Sequence, residues 1–191
     1  MEHFHLDRTK FGPHDWFTSA ELQRWVVRRS RPHARFVEIG TYLGRSAACF
    51  GVEIVNAGKQ QHLTTIDLFA DPEQERRARD NLAPLAAAVT VVKSDSVAAA
   101  AGFDDGSLDM VFIDGDHHYP AVSADIAAWR GKVRSGGILA GDDFWWPDPE
   151  APPPLPGRMP SFPVWRAVEE AFKGRYELMV RRSWATWWRI M

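Results

Sequence analysis

Phe36-Val-Glu-Ile-Gly40-Thr-Tyr-Leu-Gly44-Arg-Ser46 is a short apolar, β-rich run that stops on a glycine and passes, four residues later, through a second glycine into a helical pattern. Glycines at such a turn let the backbone approach a ligand, and a helix starting near Arg45 offers its unpaired N–H groups to an anion. Outward from this unit the alternation repeats. His62–Leu68, Val89–Lys93, Leu108–Asp114 and Ile138–Gly141 read as strands, like Phe36–Ile39, and the segments starting near Pro72, Ser96 and Ala121 read as helices. Apolar strands alternating with helices predict an α/β fold, a doubly wound, mostly parallel sheet covered on both faces.

The two ends of the chain differ from this middle. Residues 1–33 form an extension with one helix, Thr18 to about Ser30, whose start is marked by a Thr18/Glu21 capping box and a Phe17/Leu22 hydrophobic staple. It is expected to pack on the core or to lid a site. Asp143–Pro163 holds eight of the 13 prolines and reads as an irregular loop. A helix, Val164–Lys173, follows, and then two strand-like runs, Tyr176–Arg182 and Ala185–Ile190. These are too close together for a parallel crossover, so an antiparallel hairpin is expected, bringing the sheet to seven strands.

Composition narrows the function. The chain has 191 residues, enough for one well-buried core, so a single domain over residues 1–191 is the default. With 23 Lys+Arg against 25 Asp+Glu, it lacks the cationic excess that nucleic-acid binding exploits, so nucleic acid is not expected as a partner. The single cysteine, Cys49, permits no internal disulfide; the start has no signal-peptide core, and no apolar run is long enough for a membrane span. These features are read as a cytoplasmic protein with no membrane partner. Of the nine Trp, Trp184, Trp187 and Trp188 fall in the hairpin, where sheet core or a homodimer surface is expected.

In an open parallel sheet, ligands lie beyond the carboxyl ends of the strands, and there this sequence is polar. The second strand ends at Asp67, placed to accept hydrogen bonds from ribose hydroxyls, and the third at Ser94-Asp95-Ser96. The fourth runs into Asp114-Gly-Asp116-His117-His118-Tyr119 and the fifth into Asp142-Asp143. Plainer readings stand beside each: Asp67 as a solvated loop acid, Ser94 and Asp95 as a helix cap, the Asp-Gly and Asp-Asp pairs as turn formers. His118 and Tyr119 read as capping or packing residues, His3, His5 and His14 as solvated surface, and the basic run 75–79 as a solvated helix face.

The Glu38–Ser46 stretch resembles the first motif of class I S-adenosylmethionine-dependent methyltransferases, particularly the catechol and caffeoyl-coenzyme A O-methyltransferase type. Phe112–Tyr119 and Gly136–Asp143 are similar to the small bacterial branch that includes sugar and natural-product O-methyltransferases. The resemblance implies a Rossmann-like sheet in which residues 34–143 hold S-adenosyl-L-methionine and the Pro/Trp-rich loop 144–163 helps to form the acceptor site. It implies that Gly40, Gly44 and Ser46 hold the methionine end, with Glu38, Thr41 and Tyr42 lining the loop. Asp67 would take the ribose, Leu68 would press on the adenine, and Ser94 and Asp95 would sit at the adenine edge. In metal-dependent members, acids after the fourth and fifth strands hold a divalent ion, which here implies Mg²⁺ on Asp114, Asp142 and Asp143. Trp145 and Trp146, just beyond, are expected to wall the acceptor pocket.

The implied reaction is transfer of an activated methyl group to a hydroxyl of a small molecule, a sugar, catechol-like or natural-product acceptor. Mg²⁺ would lower the hydroxyl's pKa, and Asp116 or His117 would take the proton, with His117, ordinarily near pKa 6.5, favoured. The catechol type has a lysine where this chain has His117 and an asparagine at Asp143; sugar-directed members have an acid at Asp116. Three other readings remain open: a metal-independent enzyme with His117 as base, a cofactor-binding protein without turnover, and a nicotinamide oxidoreductase, whose G-x-G-x-x-G is absent here.

Overall fold

Every position of strand β1 (Arg35–Ile39) after Arg35 is buried, and its side chains alternate between two cores. Phe36 joins Phe50, Leu63, Met110 and Phe112 on one face of the sheet, while Val37 and Ile39 join Ile66, Val111, Ile113 and Leu139 on the other. That alternation makes these runs apolar throughout, as a sheet covered on both sides requires. The computed structural model describes Phe11 and residues 19–147, 161–181 and 184–191, the side chains of Arg181 and Trp184 excepted.

The seven-stranded sheet has the order β3 (Val89–Lys93), β2 (His62–Asp67), β1, β4 (Leu108–Ile113), β5 (Val133–Gly141), β7 (Trp184–Ile190), β6 (Glu177–Arg181). The first five strands are parallel; β7 runs antiparallel to both β5 and β6, the expected hairpin. Helices α1 (Ala20–Arg29) and α2 (Arg45–Ala57) contribute to the core with Phe36, while α5 (Tyr119–Trp129) and α6 (Pro163–Phe172) contribute to the other. Helices α3 (Pro72–Leu82) and α4 (Ser96–Ala100) follow β2 and β3. Because β2 lies on one side of β1 and β4 on the other, the chain reverses its winding between β1 and β4, which opens a crevice there.

Several boundaries differ from the sequence reading. Strand β5 starts at Val133 instead of Ile138, because its register against β4 shifts between Leu108 and Met110 and the intervening Ser135-Gly136-Gly137 hides the continuity of the apolar run. Helix α1 starts at Ala20, and Ser19 before it makes no side-chain cap. Phe17 and Thr18, on which the staple and capping box rest, lie outside the described residues, as do His3, His5, His14 and residues 148–160. In the hairpin, Trp187 is fully buried against Phe172 and Trp188 packs on Trp25 at 5.7 Å, so both serve the fold; the side chain of Trp184 is outside the description. The charged run on α3 is a solvated face, with Arg76 paired to Glu73 and Asp80 and Arg79 to Glu75. Among the described residues, no helix is long and apolar enough to cross a membrane.

Candidate active site

A cleft of about 530 Å³ opens at the carboxyl ends of the strands, from Gly40 and Tyr42 past Asp67, Leu68 and Ser94–Val97 to Asp114 and Asp116. Its floor depends on Gly40. The residue has φ +92°, and a Cβ placed on it would stand 1.9 Å from the carbonyl oxygen of Asp114. No side chain fits there, so the β1 and β4 loops touch backbone to backbone. Gly44, at φ +83°, lets the chain turn into α2. Tyr42 also has positive φ, +48°, and is about half exposed.

Asp67 ties this loop to β2. Its Oδ2 accepts from the backbone N–H groups of Thr41 and Tyr42, both at 2.9 Å, and its Oδ1 from Phe69 N at 2.8 Å. A carboxylate has about four lone-pair sites, so these bonds leave room for one more donor. The reading of Asp67 as a freely solvated acid is therefore displaced. Leu68 beside it is 63% exposed in the cleft wall. Asp95 realises the capping reading, accepting from Ala98 N at 2.8 Å, yet it and Ser94 still line the cleft.

Beneath the loop lies a buried polar chain that sequence reading only partly located. Thr65 donates to Glu38 Oε2 at 2.7 Å and shares a 2.7 Å hydrogen bond with Thr41. Gln23, from α1, donates to Ser46 Oγ at 2.6 Å. Glu38 is fully buried and its Oε1 has no hydrogen-bond partner. Burial pushes its carboxyl up to about 7, against the Ser46 and Thr65 hydroxyls, which favour the charged form. Gln23 and Thr65 were missed; polar residues on otherwise apolar faces were their signal. The same holds for Asp125, which sits with Val122, Ile126 and Trp129 on the buried face of α5, takes a hydrogen bond from Ser96 and borders the cleft.

At the other end of the cleft the structure gathers Asp114, His117 and Asp143. One ligand atom from each lies within 4.8 Å of the others. His117 Nε2 is 2.8 Å from Asp143 Oδ2 and 3.8 Å from Asp114 Oδ1, as ion-pair contacts rather than aligned hydrogen bonds. Burial acts to lower the His117 pKa, but the carboxylates of Asp114 and Asp143 outweigh it and push it up to about 10. Burial and the Asp142 and Asp143 charges, opposed by His117, hold Asp114 up at about 7.

Two expectations change here. The carboxylates of Asp114 and Asp143 favour the protonated imidazole of His117, which sets it apart from the unperturbed histidine expected as the base. Asp142 is expected in the acidic cluster, but its Oδ1 accepts from Thr186 Oγ1 at 3.0 Å and it stands outside the group that converges. Asp116 is no better placed as a base. Its burial is outweighed by the backbone N–H and ring of His118, which hold its carboxyl below the usual range. Of the two tryptophans, Trp146 faces His117 with ring centroids 5.4 Å apart, while Trp145 packs against Phe144. Tyr119 turns away to bond Glu170 and pack under Arg166.

A crevice at the switch point of this sheet, with a glycine floor, an acid at the end of β2 and polar residues after β4 and β5, is where doubly wound α/β folds bind nucleotide-type cofactors. Residues 37–144 match the family model described as a methyltransferase domain, and the chain belongs to that methyltransferase family. The O-methyltransferase TomG of Streptomyces achromogenes, solved with SAM, superposes with a TM-score of 0.67 at 20% identity, covering 100% of this chain and 91% of TomG. A putative caffeoyl-CoA O-methyltransferase of Staphylococcus aureus gives 0.68 at 16% identity, covering 95% of this chain and 87% of its own. At these identities the likeness is one of fold. An uncharacterized protein of Sinorhizobium fredii, y4gI, is 24% identical over 138 residues, 68% of this chain, which spans only 15% of that protein's length.

Proposed function

We propose that the cleft binds S-adenosyl-L-methionine and that the enzyme moves its methyl group onto a hydroxyl of a small molecule, with a divalent ion beside the acceptor. The contact between Gly40 and Asp114 carries this reading, because it joins the two ends of the site: the cofactor loop on one side and the Asp114, His117, Asp143 group on the other. TomG, of the same fold, was solved with SAM, which supports the choice of cofactor.

The residues fit that cofactor. The α2 N-terminus suits a carboxylate, the remaining lone pair of Asp67 suits a ribose hydroxyl, and Leu68 offers an apolar surface to the adenine. Ser94 and Asp95 border the same end. S-adenosylmethionine, when bound, supplies a methyl group already activated by the sulfonium, so the protein's task is placement. Trp146, beside His117, forms a wall against which a ring of the acceptor stacks. A dication such as Mg²⁺ supplies the charge that lowers the acceptor's pKa. Two carboxylates and a histidine converging on one point fit a divalent ion. Asp116, held low by His118, is a poor base, while Asp114, His117 and Asp143 converge as ligands, so the metal-assisted reading is preferred to the metal-independent one. The same proposal keeps the enzyme in the cytoplasm and acting on small molecules.

The test is transfer of labelled methyl from S-adenosylmethionine to a panel of vicinal diphenols, glycosides and phenolic polyketides, with divalent ions and with chelator. Labelled ether product that needs the ion supports the reading. Labelling of nitrogen, or full activity in chelator, counts against it.

A further inference from the structure

We infer that the ion-binding set is Asp114, His117 and Asp143, one imidazole and two carboxylates, and that it prefers a first-row transition-metal dication such as Mn²⁺ or Zn²⁺ to Mg²⁺. This rests on the methyltransferase reading and departs from the all-carboxylate set, Asp114, Asp142 and Asp143, that the sequence implied.

Geometry makes the first argument. Ligands bound at about 2.0–2.2 Å stand roughly 3.0–4.4 Å apart around an ion, and one atom each from Asp114, His117 and Asp143 lies within 4.8 Å of the others, so side-chain shifts of under about 1 Å complete the site. Asp142, in contrast, is 7% exposed and is drawn toward β7 by Thr186, whose hydroxyl donates to its Oδ1 at 3.0 Å. The second argument is the ring nitrogen itself. His117 Nε2 is directed at both carboxylates, 2.8 Å from Asp143 Oδ2 and 3.8 Å from Asp114 Oδ1, so a cation between them takes the place of the imidazole's proton.

Donor chemistry makes the third. Mg²⁺ takes oxygen ligands and keeps much of its water, whereas an imidazole is a good ligand for Zn²⁺, Fe²⁺ and their neighbours, and a mixed imidazole–carboxylate set also suits Mn²⁺. Two carboxylates balance the charge of a dication. Three protein ligands leave positions open, and the open side is bordered by Trp146, 5.4 Å from the His117 ring.

The experiment uses the full chain, stripped of metal, titrated calorimetrically with Mn²⁺, Zn²⁺ and Mg²⁺ separately, for wild type, His117→Ala and Asp142→Asn. Pulsed EPR on the Mn²⁺ form reads nitrogen coupling to the ion. Mn²⁺ and Zn²⁺ are expected to bind at least about tenfold more tightly than Mg²⁺. Histidine nitrogen coupling is expected in wild type and lost in His117→Ala, with a drop of about tenfold or more in Mn²⁺ affinity; Asp142→Asn changes it less than about threefold. Equal or tighter Mg²⁺ binding, absence of nitrogen coupling, loss of the ion in Asp142→Asn, or no dication binding each overturns the assignment. The wild-type EPR signal decides the point even if a variant fails to fold. S-adenosylhomocysteine titrated into the same metal-free samples separates the two failures: if it binds, only the metal assignment falls; if it does not, the methyltransferase reading falls as well.

Discussion

The α-carbon of Gly40 lies so close to Asp114 that a Cβ on it would be 1.9 Å from the Asp114 carbonyl oxygen. The contact is between backbone atoms, so no rotamer relieves it, and φ +92° adds strain for any other residue. Gly40→Ala is expected to cost about 2–4 kcal/mol, a fall of roughly 5–15 °C in Tm. Because the variant pushes the β1 loop from the β4 loop, affinity for S-adenosylhomocysteine should fall as well. Calorimetric scanning and titration read the two effects. A variant as stable as wild type would mean the loops are not in contact.

Glu38 gives a pH dependence of definite sign. Its carboxyl sits at about 7 in the folded protein against 4.5 ordinarily, so the folded state holds the proton more tightly than the unfolded one. That contribution to stability is complete below pH 4.5 and is lost as pH rises through about 7, amounting to about 3 kcal/mol. Glu38→Gln should make the decline in urea midpoint between pH 5 and 8 shallower, leaving the part that Asp114, also held up at about 7, contributes. Parallel pH profiles for the two proteins would show that Glu38 ionises normally.

If Trp146 walls the acceptor pocket as proposed, its loss separates acceptor binding from cofactor binding. It borders His117 and is absent from the wall of the cofactor cleft. Trp146→Ala should raise KM for an aromatic acceptor about tenfold, the worth of one lost ring contact, with affinity for S-adenosylhomocysteine changed less than about twofold. Loss of both in equal measure would place Trp146 in the fold rather than in the acceptor site.

Much of the fold was legible because the central parallel strands β1 and β4 are buried on both faces and all five parallel strands run into polar residues. Phe36–Ile39 and Leu108–Ile113 are buried in just this way. The first five residues of β5 were not legible, since Ser135-Gly136-Gly137 interrupts the run at a register shift that only the pairing with β4 reveals. The site was legible where one loop carries it. The Gly40 floor and the place of Asp67 follow from local order, although the three N–H groups that Asp67 accepts do not. What crosses between distant segments stayed hidden. Asp142 and Asp143 are neighbours in sequence, and Asp142 is held by Thr186, 44 residues further along. His117 reads as a base until two carboxylates from separate strand ends are found around it.

We propose that this cleft is an S-adenosylmethionine site whose loop is tied to β2 by Asp67. Calorimetric titration of metal-free protein with S-adenosylhomocysteine, wild type beside Asp67→Ala, tests it most directly. Asp67 accepts three backbone hydrogen bonds and lines the cleft, and hydrogen bonds to a charged group are worth about 1.5–3 kcal/mol each, so one-to-one binding by wild type and a loss of about 100-fold or more in the variant are expected. No binding by folded wild-type protein, or equal binding by Asp67→Ala, would contradict it.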